Sequence, residues 1–345
     1  MNVKRHSTTI AIIGAGFCGL AVAWHLLNHL PSFPNLTVHL FDSKGIGQGA
    51  SGIAAGLLHP YVGAHAKLNW RGQEGFQATV ELLEIASFAL KRSVTAEDPG
   101  ILRLALHEEQ QKNFQDCAER HSKDTQWLDA TSCQALAPGC ALAPGLWIKQ
   151  GLTVYSSLYL QGLWQACAKR GVVFERRSIE SLKEMRDFDI TIVTTGAQTL
   201  ELPELSSLPI KMVKGQVLEL AWPKDWNPLV CPLNSQVYIL MTETRSSCLV
   251  GATYEKGYQE AIINLEIAQK EILPKAFELF PPLRNGSIVN CFAGMRAVAP
   301  QHRPFIQRLS SSQWILTGMG SKGLLYHALF AKELVQSIWN EKMMA

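Results

Sequence analysis

Residues 9–24 read TIAIIGAGFCGLAVAW. Thr9–Ile13 is a short apolar run of the kind buried in a parallel sheet. Gly14-Ala15-Gly16-x-x-Gly19 follows, and then a helical pattern over Leu20–His29, stopped by Pro31 and Pro34. In a strand–turn–helix of this type each glycine has its own task. Gly14 makes the tight turn, Gly16 lets a pyrophosphate approach the backbone, and Gly19 lets helix and strand pack closely. The helix start offers unpaired N–H groups and a partial positive charge to phosphates. The next strand, Leu36–Phe41, ends at Asp42, 23 residues (42 − 19) beyond Gly19. Asp42, with Ser43 after it, is placed to accept hydrogen bonds from an adenosine ribose. A carboxylate there repels the extra phosphate of NADP and leaves NAD and FAD open.

Outward from this unit, a glycine-rich loop spans Gly45 to Gly56, and helices are expected over Glu74–Arg92, Glu108–His121, Leu158–Arg170 and Asn264–Phe280. Strands are expected at Ile101–Leu106, Val172–Glu175, Ile190–Thr194 and Trp314–Thr317, with a strand-rich region from Lys211 to Tyr254. The chain closes with a glycine turn, Gly318–Gly323, and a helix over Leu324–Trp339. The first and last segments read as parts of one α/β domain, with a strand-rich α+β part between them. Two interleaved domains follow: 1–90, 151–205 and 290–345 for the dinucleotide, and 91–150 and 206–289 for a substrate.

The 345 residues are 47% apolar and 18% charged, enough for a large core. The net charge of +3 permits an anionic partner without demanding one. None of the eight cysteines forms a C-x-x-C pair, so no metal site is expected, and their scatter suits buried thiols of a cytoplasmic protein. The basic opening MNVKRH leads into the glycine loop rather than a cleavage site, and no stretch is long and apolar enough for a transmembrane helix. The sequence does not fix an oligomeric state or an electron acceptor.

The segment GQGASGIAAGLLHP, residues 47–60, resembles the pyrophosphate-covering loop of the D-amino-acid oxidase (DAO) superfamily. CFAGMRAVAPQHRPFIQRL (291–309) is similar to that superfamily's substrate-arginine segment, and LTGMGSKGLLYHALFAKELVQSI (316–338) to its flavin-binding finish. VKGQV, VYILM and LVGATYE resemble strands of its substrate domain. The resemblance covers nearly the whole chain. It implies a Rossmann-like FAD-binding domain interleaved with a strand-rich substrate-binding domain, and non-covalent FAD, since Cys291 precedes the segment in which covalent relatives carry a cysteine. GMGSKGLLYHAL is most similar to the C-terminal oxidase domain of the bifunctional tRNA enzyme MnmC, with glycine oxidase next. Lys322 stands where that oxidase domain usually has arginine. No methyltransferase segment accompanies the match, so the second step of MnmC is not expected.

What the resemblance implies for the site can be stated residue by residue. Ser51 and Gly52 would sit on the pyrophosphate; alone, Ser51 reads equally as a helix cap. Ala55, Gly56 and Leu57 would pass the flavin ring. Ile179 would meet adenine, and Thr195 and Gly196 would close over the dinucleotide. Gly318, Gly320, Ser321, Lys322, Gly323 and Leu324 would turn backbone N–H groups and a helix N-terminus toward negative charge on the flavin. Arg296 would clamp a substrate carboxylate through its planar fork. Tyr238 would wall the substrate, His59 would lie near the ring, and His302 and His327 are weaker candidates.

The implied enzyme is an FAD-dependent oxidoreductase acting on CH–NH bonds of a glycine-like carboxymethylamino group, –NH–CH₂–COO⁻. Hydride transfer and imine hydrolysis would follow, without a dedicated base. The carrier implied first is the tRNA wobble nucleoside 5-carboxymethylaminomethyluridine, which calls for a basic funnel drawn from Arg170, Arg176, Arg177, Arg303 and Arg308. The alternatives are free glycine or a small secondary amino acid, and a silent FAD-binding protein.

Overall fold

The computed structural model describes residues 8–28, 35–97 and 99–344, with side chains to 341. The opening MNVKRH, His29, Pro31 and Pro34 lie outside the described residues.

Two sheets organise the chain. The smaller has six strands in the order Phe305–Arg308, Gln313–Thr317, Ile190–Val193, Thr8–Ile13, Leu36–Asp42 and Val173–Arg176. All its pairings are parallel except that of Phe305–Arg308 with Gln313–Thr317. Parallel strands covered on both faces read as continuous apolar runs, which is why IAII and ITIV stood out. On one face lie the helices Phe17–Leu27, Gly72–Leu90, Ser156–Lys169 and Gly323–Met344, which share a core with Ile10, Ile12, Leu40 and Leu316. On the other, Ala11, Ile13, Phe41, Val193 and Ile315 pack against Leu182, Met185, Leu202 and Leu205.

The larger sheet has nine strands. Eight run in the order Glu255–Lys256, Lys211–Ala221, Ser247–Gly251, Tyr238–Met241, Leu233–Asn234, Ile101–Leu104, Gly145–Ile148 and Thr125–Leu128; the ninth, Ile288–Val298, pairs antiparallel with Lys211–Ala221. Its own core includes Leu218, Leu220, Ile239 and Val250 and is closed by the helix Leu265–Leu279.

The strand Ile288–Val298 corrects one expectation. It belongs to the larger sheet, so the chain changes sheets after Val298 rather than at 290. Pattern reading passed over this strand because Ala293, Gly294 and Met295 interrupt any alternation of apolar and polar residues. The strands Thr125–Leu128 and Gly145–Ile148 and the short helix Ala130–Leu136 were likewise not foreseen.

Candidate active site

A cavity of about 620 Å³ opens between the two sheets. Its floor on the dinucleotide side is the glycine turn after the first strand. Gly14 has φ +105°, a left-handed value that suits glycine, and a Cβ there would stand 2.6 Å from the Thr194 carbonyl oxygen. A Cβ on Gly19 would overlap the Gly14 carbonyl oxygen, so glycine alone lets the helix Phe17–Leu27 start this close to the strand. A Cβ on Gly16 would lie 2.8 Å from Ser51 Oγ. That hydroxyl accepts a hydrogen bond from the Phe17 amide at 3.1 Å. Ser51 therefore caps the helix and also borders the cavity.

Asp42 closes the second strand. Its Oδ2 accepts from the Ala15 amide at 2.9 Å, and its Oδ1 from the amides of Lys44 at 2.8 Å and Gly45 at 2.9 Å. Each carboxylate oxygen takes about two donors, so Oδ2 keeps capacity for one hydroxyl. The carboxylate thus fastens the glycine turn to the end of the second strand.

Of the expected dinucleotide residues, Gly16, Ser51, Ala55, Gly56, Leu57, Gly196, Gly318, Gly320, Ser321, Gly323 and Leu324 line the cavity. The lining does not include Gly14, Ala15, Gly19, Asp42, Ser43, Gly52, Ile179 or Thr195. Ile179 packs against the core on the second face of the smaller sheet, and Thr195 shares a hydroxyl contact of 2.9 Å with Thr199. Lys322 departs from expectation. Its ammonium lies 3.5 Å from the His302 carbonyl oxygen and over the Tyr326 ring, outside the lining, and partial burial lowers its pKa. Lys322 alternates with Ser321 and Gly323 on a single turn, and the turn spends its inward positions on those two.

The substrate side is built on the larger sheet. Arg296 stands opposite Val213 on paired strands, and Gly215 stands opposite Gly294. The Arg296 guanidinium lies over Gly215, where a Cβ would come within 2.5 Å of Nη1. Nη1 donates to the Thr253 carbonyl oxygen at 3.1 Å. Thr253 is itself held. Its hydroxyl accepts from the Gln216 amide at 2.8 Å and donates to Glu255 Oε1 at 2.5 Å, while Gln216 Nε2 donates to the same oxygen at 2.9 Å. Buried Lys214 pairs with Glu255 at 3.2 Å. Burial lowers the Arg296 pKa, opposed by Tyr238, Tyr254 and Glu255, yet a guanidinium stays charged at neutral pH.

Tyr238 stands opposite Gly251, where a Cβ would sit 2.5 Å from its hydroxyl oxygen. Burial pushes this phenol up, opposed by the charge of Arg296. Arg296, Tyr238 and His59 all line the cavity. His59 is buried, its pKa is pulled down to about 3 by burial and by Arg103, and its Nδ1 has no partner. His327 is a structural residue: it lies 2.6 Å from the Tyr159 hydroxyl and faces the carbonyls of Gly323 and Leu324. His302 is exposed.

The glycines Gly215, Gly251 and Gly294, with Thr253, Lys214, Glu255 and Arg103, were not foreseen. A usable signal existed, since glycine inside strand-like runs marks close approach of a neighbour. The expected funnel of arginines is not assembled at the cavity. Arg177 pairs with Glu184 and Arg308 with Glu341, Arg170 holds Leu27 and Asn28, Arg176 meets the Ser43 carbonyl, Arg303 covers Trp70, and none of the five is in the lining.

The glycine turn, the capped helix start, the Asp42 carboxylate that fastens the turn and the second helix N-terminus at Gly323 together fit FAD. Cys18 is the cysteine in the lining, and burial raises its thiol to about 12, which leaves it protonated and a poor nucleophile. Cys291 packs against the core of the larger sheet. Among the described residues no group of acidic, histidine or cysteine side chains could hold a metal ion, and no helix is long and apolar enough to cross a membrane.

Comparison with known proteins places these features in a family. The family model described as FAD dependent oxidoreductase, DAO, matches residues 9–337. A bifunctional tRNA 5-methylaminomethyl-2-thiouridine biosynthesis protein, MnmC, from Hydrogenovibrio crunogenus is 24% identical over 335 residues, covering 89% of this chain and 48% of that protein. The chain thus spans about half the length of the MnmC relatives it matches. An uncharacterized oxidoreductase of Bacillus subtilis, YurR, is 24% identical over 363 residues, covering 95% and 94%. Among solved structures, glycine oxidase from Geobacillus kaustophilus superposes with a TM-score of 0.83 at 20% identity, over 96% of this chain and 94% of that one.

Proposed function

The chain belongs to the DAO family of FAD-dependent oxidoreductases, and from that membership we propose that it oxidises a carboxymethylamino group, –NH–CH₂–COO⁻. One observation carries the reading: a charged guanidinium, Arg296, stands in the cavity wall over Gly215, fixed by the Thr253 carbonyl and in no ion pair among the described residues. Its planar fork suits a carboxylate. FAD, when bound, supplies the hydride acceptor.

The residues of the chain then have separate tasks. Arg296 holds the carboxylate and so fixes the adjacent carbon. Tyr238 limits where the nitrogen substituent lies. Thr253, Gln216, Glu255 and Lys214 hold the carbonyl that orients the guanidinium. As hydride leaves the carbon, the nitrogen lone pair forms the C=N bond and the N–H proton passes to water. Water then adds to that carbon, and cleavage of the C–N bond gives glyoxylate and the shortened amine. Gly318, Gly320, Ser321 and Gly323 line the cavity on the dinucleotide side, where their backbone N–H groups would meet negative charge on the flavin.

The carrier read first is the tRNA wobble uridine, supported by the names of the relatives that match over most of this chain. The dispersal of the five arginines favours a second carrier, free glycine or a small secondary amino acid. Anaerobic mixing of the flavin-loaded protein with tRNA bearing the carboxymethylaminomethyl group, and in parallel with glycine and sarcosine, tests both. Bleaching by tRNA alone supports the first, bleaching by the small amines alone supports the second, and bleaching by none sinks the amine-oxidase reading.

A further inference from the structure

The cavity wall contains a second cation that the chemistry above leaves unused. Arg103 is 2% exposed and lines the cavity. Its Nη1 donates to the Tyr61 carbonyl oxygen and its Nη2 to that of Gly63, both at 2.7 Å, and the guanidinium lies 4.9 Å from the Phe114 ring centre. Its Nε has no partner. No ion pair among the described residues includes it. Holding two loop carbonyls needs N–H donors but no charge, and a neutral amide supplies donors at much lower desolvation cost. The unexplained feature is the full positive charge.

Strand register locates this charge relative to the reacting end. Arg103 is paired with Asn234, Asn234 with Tyr238, and Tyr238 with Gly251. These residues form one row across four adjacent strands, and all line the cavity. Adjacent strands are about 4.8 Å apart, so the Arg103 backbone is roughly 10 Å from that of Tyr238. Arg296 lies beyond Gly251 on the other side, over Gly215. The two guanidiniums therefore flank Tyr238. Beside Arg103, buried His59 is neutral at physiological pH and has an unpartnered Nδ1.

We propose that Arg103, with His59 and Asn234 beside it, forms a second anion subsite, so that the substrate is an N-substituted glycine whose nitrogen substituent ends in a carboxylate or a phosphate. This rests on the reading of the cavity as a site of carboxymethylamino oxidation and names the class of substituent. One carboxylate meets Arg296, the reacting carbon and nitrogen pass Tyr238, and the second anion meets Arg103.

The test uses the flavin-loaded protein and matched N-substituted glycines. Their tails carry two to four methylenes and end in a carboxylate, a phosphonate or an uncharged carboxamide. Anaerobic flavin bleaching is expected to be at least about tenfold faster, as an apparent second-order constant, with an anionic end than with the carboxamide. The better of carboxylate and phosphonate identifies the anion. Arg103→Met is expected to bring that ratio to about one. Should this variant fail to fold because the Tyr61 and Gly63 carbonyls lose their donors, a titration of the unaltered protein decides. Glutarate or adipate is then expected to perturb the flavin absorbance at least about tenfold more tightly than butyrate. Equal rates for anionic and carboxamide ends, or dicarboxylates binding no tighter than butyrate, would overturn the subsite. If no glycine derivative bleaches the flavin, the amine-oxidation reading fails by itself, and the dicarboxylate titration still tests Arg103.

Discussion

Gly215→Ala is a small change with a large expected effect on one quantity only. The added Cβ would come within 2.5 Å of Arg296 Nη1 and nearer still to Nη2 and Cζ, distances no real carbon adopts. What must give is the far end of a flexible side chain, because no backbone atom is among the three nearest neighbours of that Cβ. Gly215 is not among the residues with positive φ, so alanine suits the strand it occupies. The fold should therefore survive while the guanidinium moves off its seat. A charge-assisted hydrogen-bonded contact contributes about 1.5–3 kcal/mol, so losing the aligned fork is expected to weaken carboxylate binding by roughly 10- to 150-fold. The assay has three parts: flavin content and thermal midpoint of the variant, its dissociation constant for an inert carboxylate read from flavin absorbance, and its KM for a carboxymethylamino substrate. Flavin content near the parent level and a stability change within about 1 kcal/mol are expected alongside the raised constants. Arg296→Lys, which keeps the charge but loses the fork, should show the same pattern. Unchanged carboxylate affinity in a fully flavin-loaded Gly215→Ala protein would refute the assignment of Arg296 as the anchor.

Other positions give contrasting outcomes. Gly19→Ala forces a Cβ into the Gly14 carbonyl, where both parties are backbone, and is expected to yield protein that is insoluble or purifies without flavin; a flavin-loaded variant of normal stability contradicts the packing argument. Ser51→Ala removes the acceptor for the Phe17 amide and should cost about 1 kcal/mol in denaturant unfolding, with weaker retention of FAD. Lys322→Ala should leave kcat/KM within about threefold, because the ammonium faces the His302 carbonyl; a loss of a hundredfold restores the lysine to the site. The pH dependence of stability follows from His327, whose burial lowers its pKa to about 4, with the Gly323 and Leu324 carbonyls opposing. Its folded-state value lies below the ordinary histidine value, so between about pH 6.5 and 4 the unfolded chain binds more protons, and stability falls as pH falls. The slope contributed is up to about 1.4 kcal/mol per pH unit, flattening below the folded value, and it should show in urea melts from pH 7 to 4. His59 extends the same trend to about pH 3. A stability that stays level through this window refutes the assignment of both as neutral buried imidazoles.

The part of the site legible in the sequence is the part whose geometry is local. Gly14, Gly16 and Gly19 answer to one turn and one helix start, and Asp42 to the end of the adjacent strand, so spacing along the chain carries their meaning. The helices Phe17–Leu27 and Gly72–Leu90 were legible for the same reason, within a few residues at their ends. Lys322 shows the limit of a motif. Its neighbours Ser321 and Gly323 line the cavity while its ammonium reaches the His302 carbonyl oxygen, and a pattern of letters does not say which residue of a turn points away.

The substrate side is set by register across strands that are far apart in sequence. Gly215 clears space for Arg296, which lies 81 positions later (296 − 215), and Gly251 clears space for Tyr238, from the strand beside it. Nothing in either local run says which side chain the missing Cβ accommodates. Arg103 was hidden for a different reason. In ILRL a charged residue between leucines reads as the solvent face of a strand, yet all four residues are buried, because the loop from Pro60 to Gly63 folds over the strand and spends two carbonyls on the guanidinium. Alternation reports which face a residue occupies; it does not report what later covers that face. A cation on a covered face without a carboxylate partner is therefore informative, since burial by a loop explains its hydrogen bonds and leaves its charge to be met by something that enters the cavity.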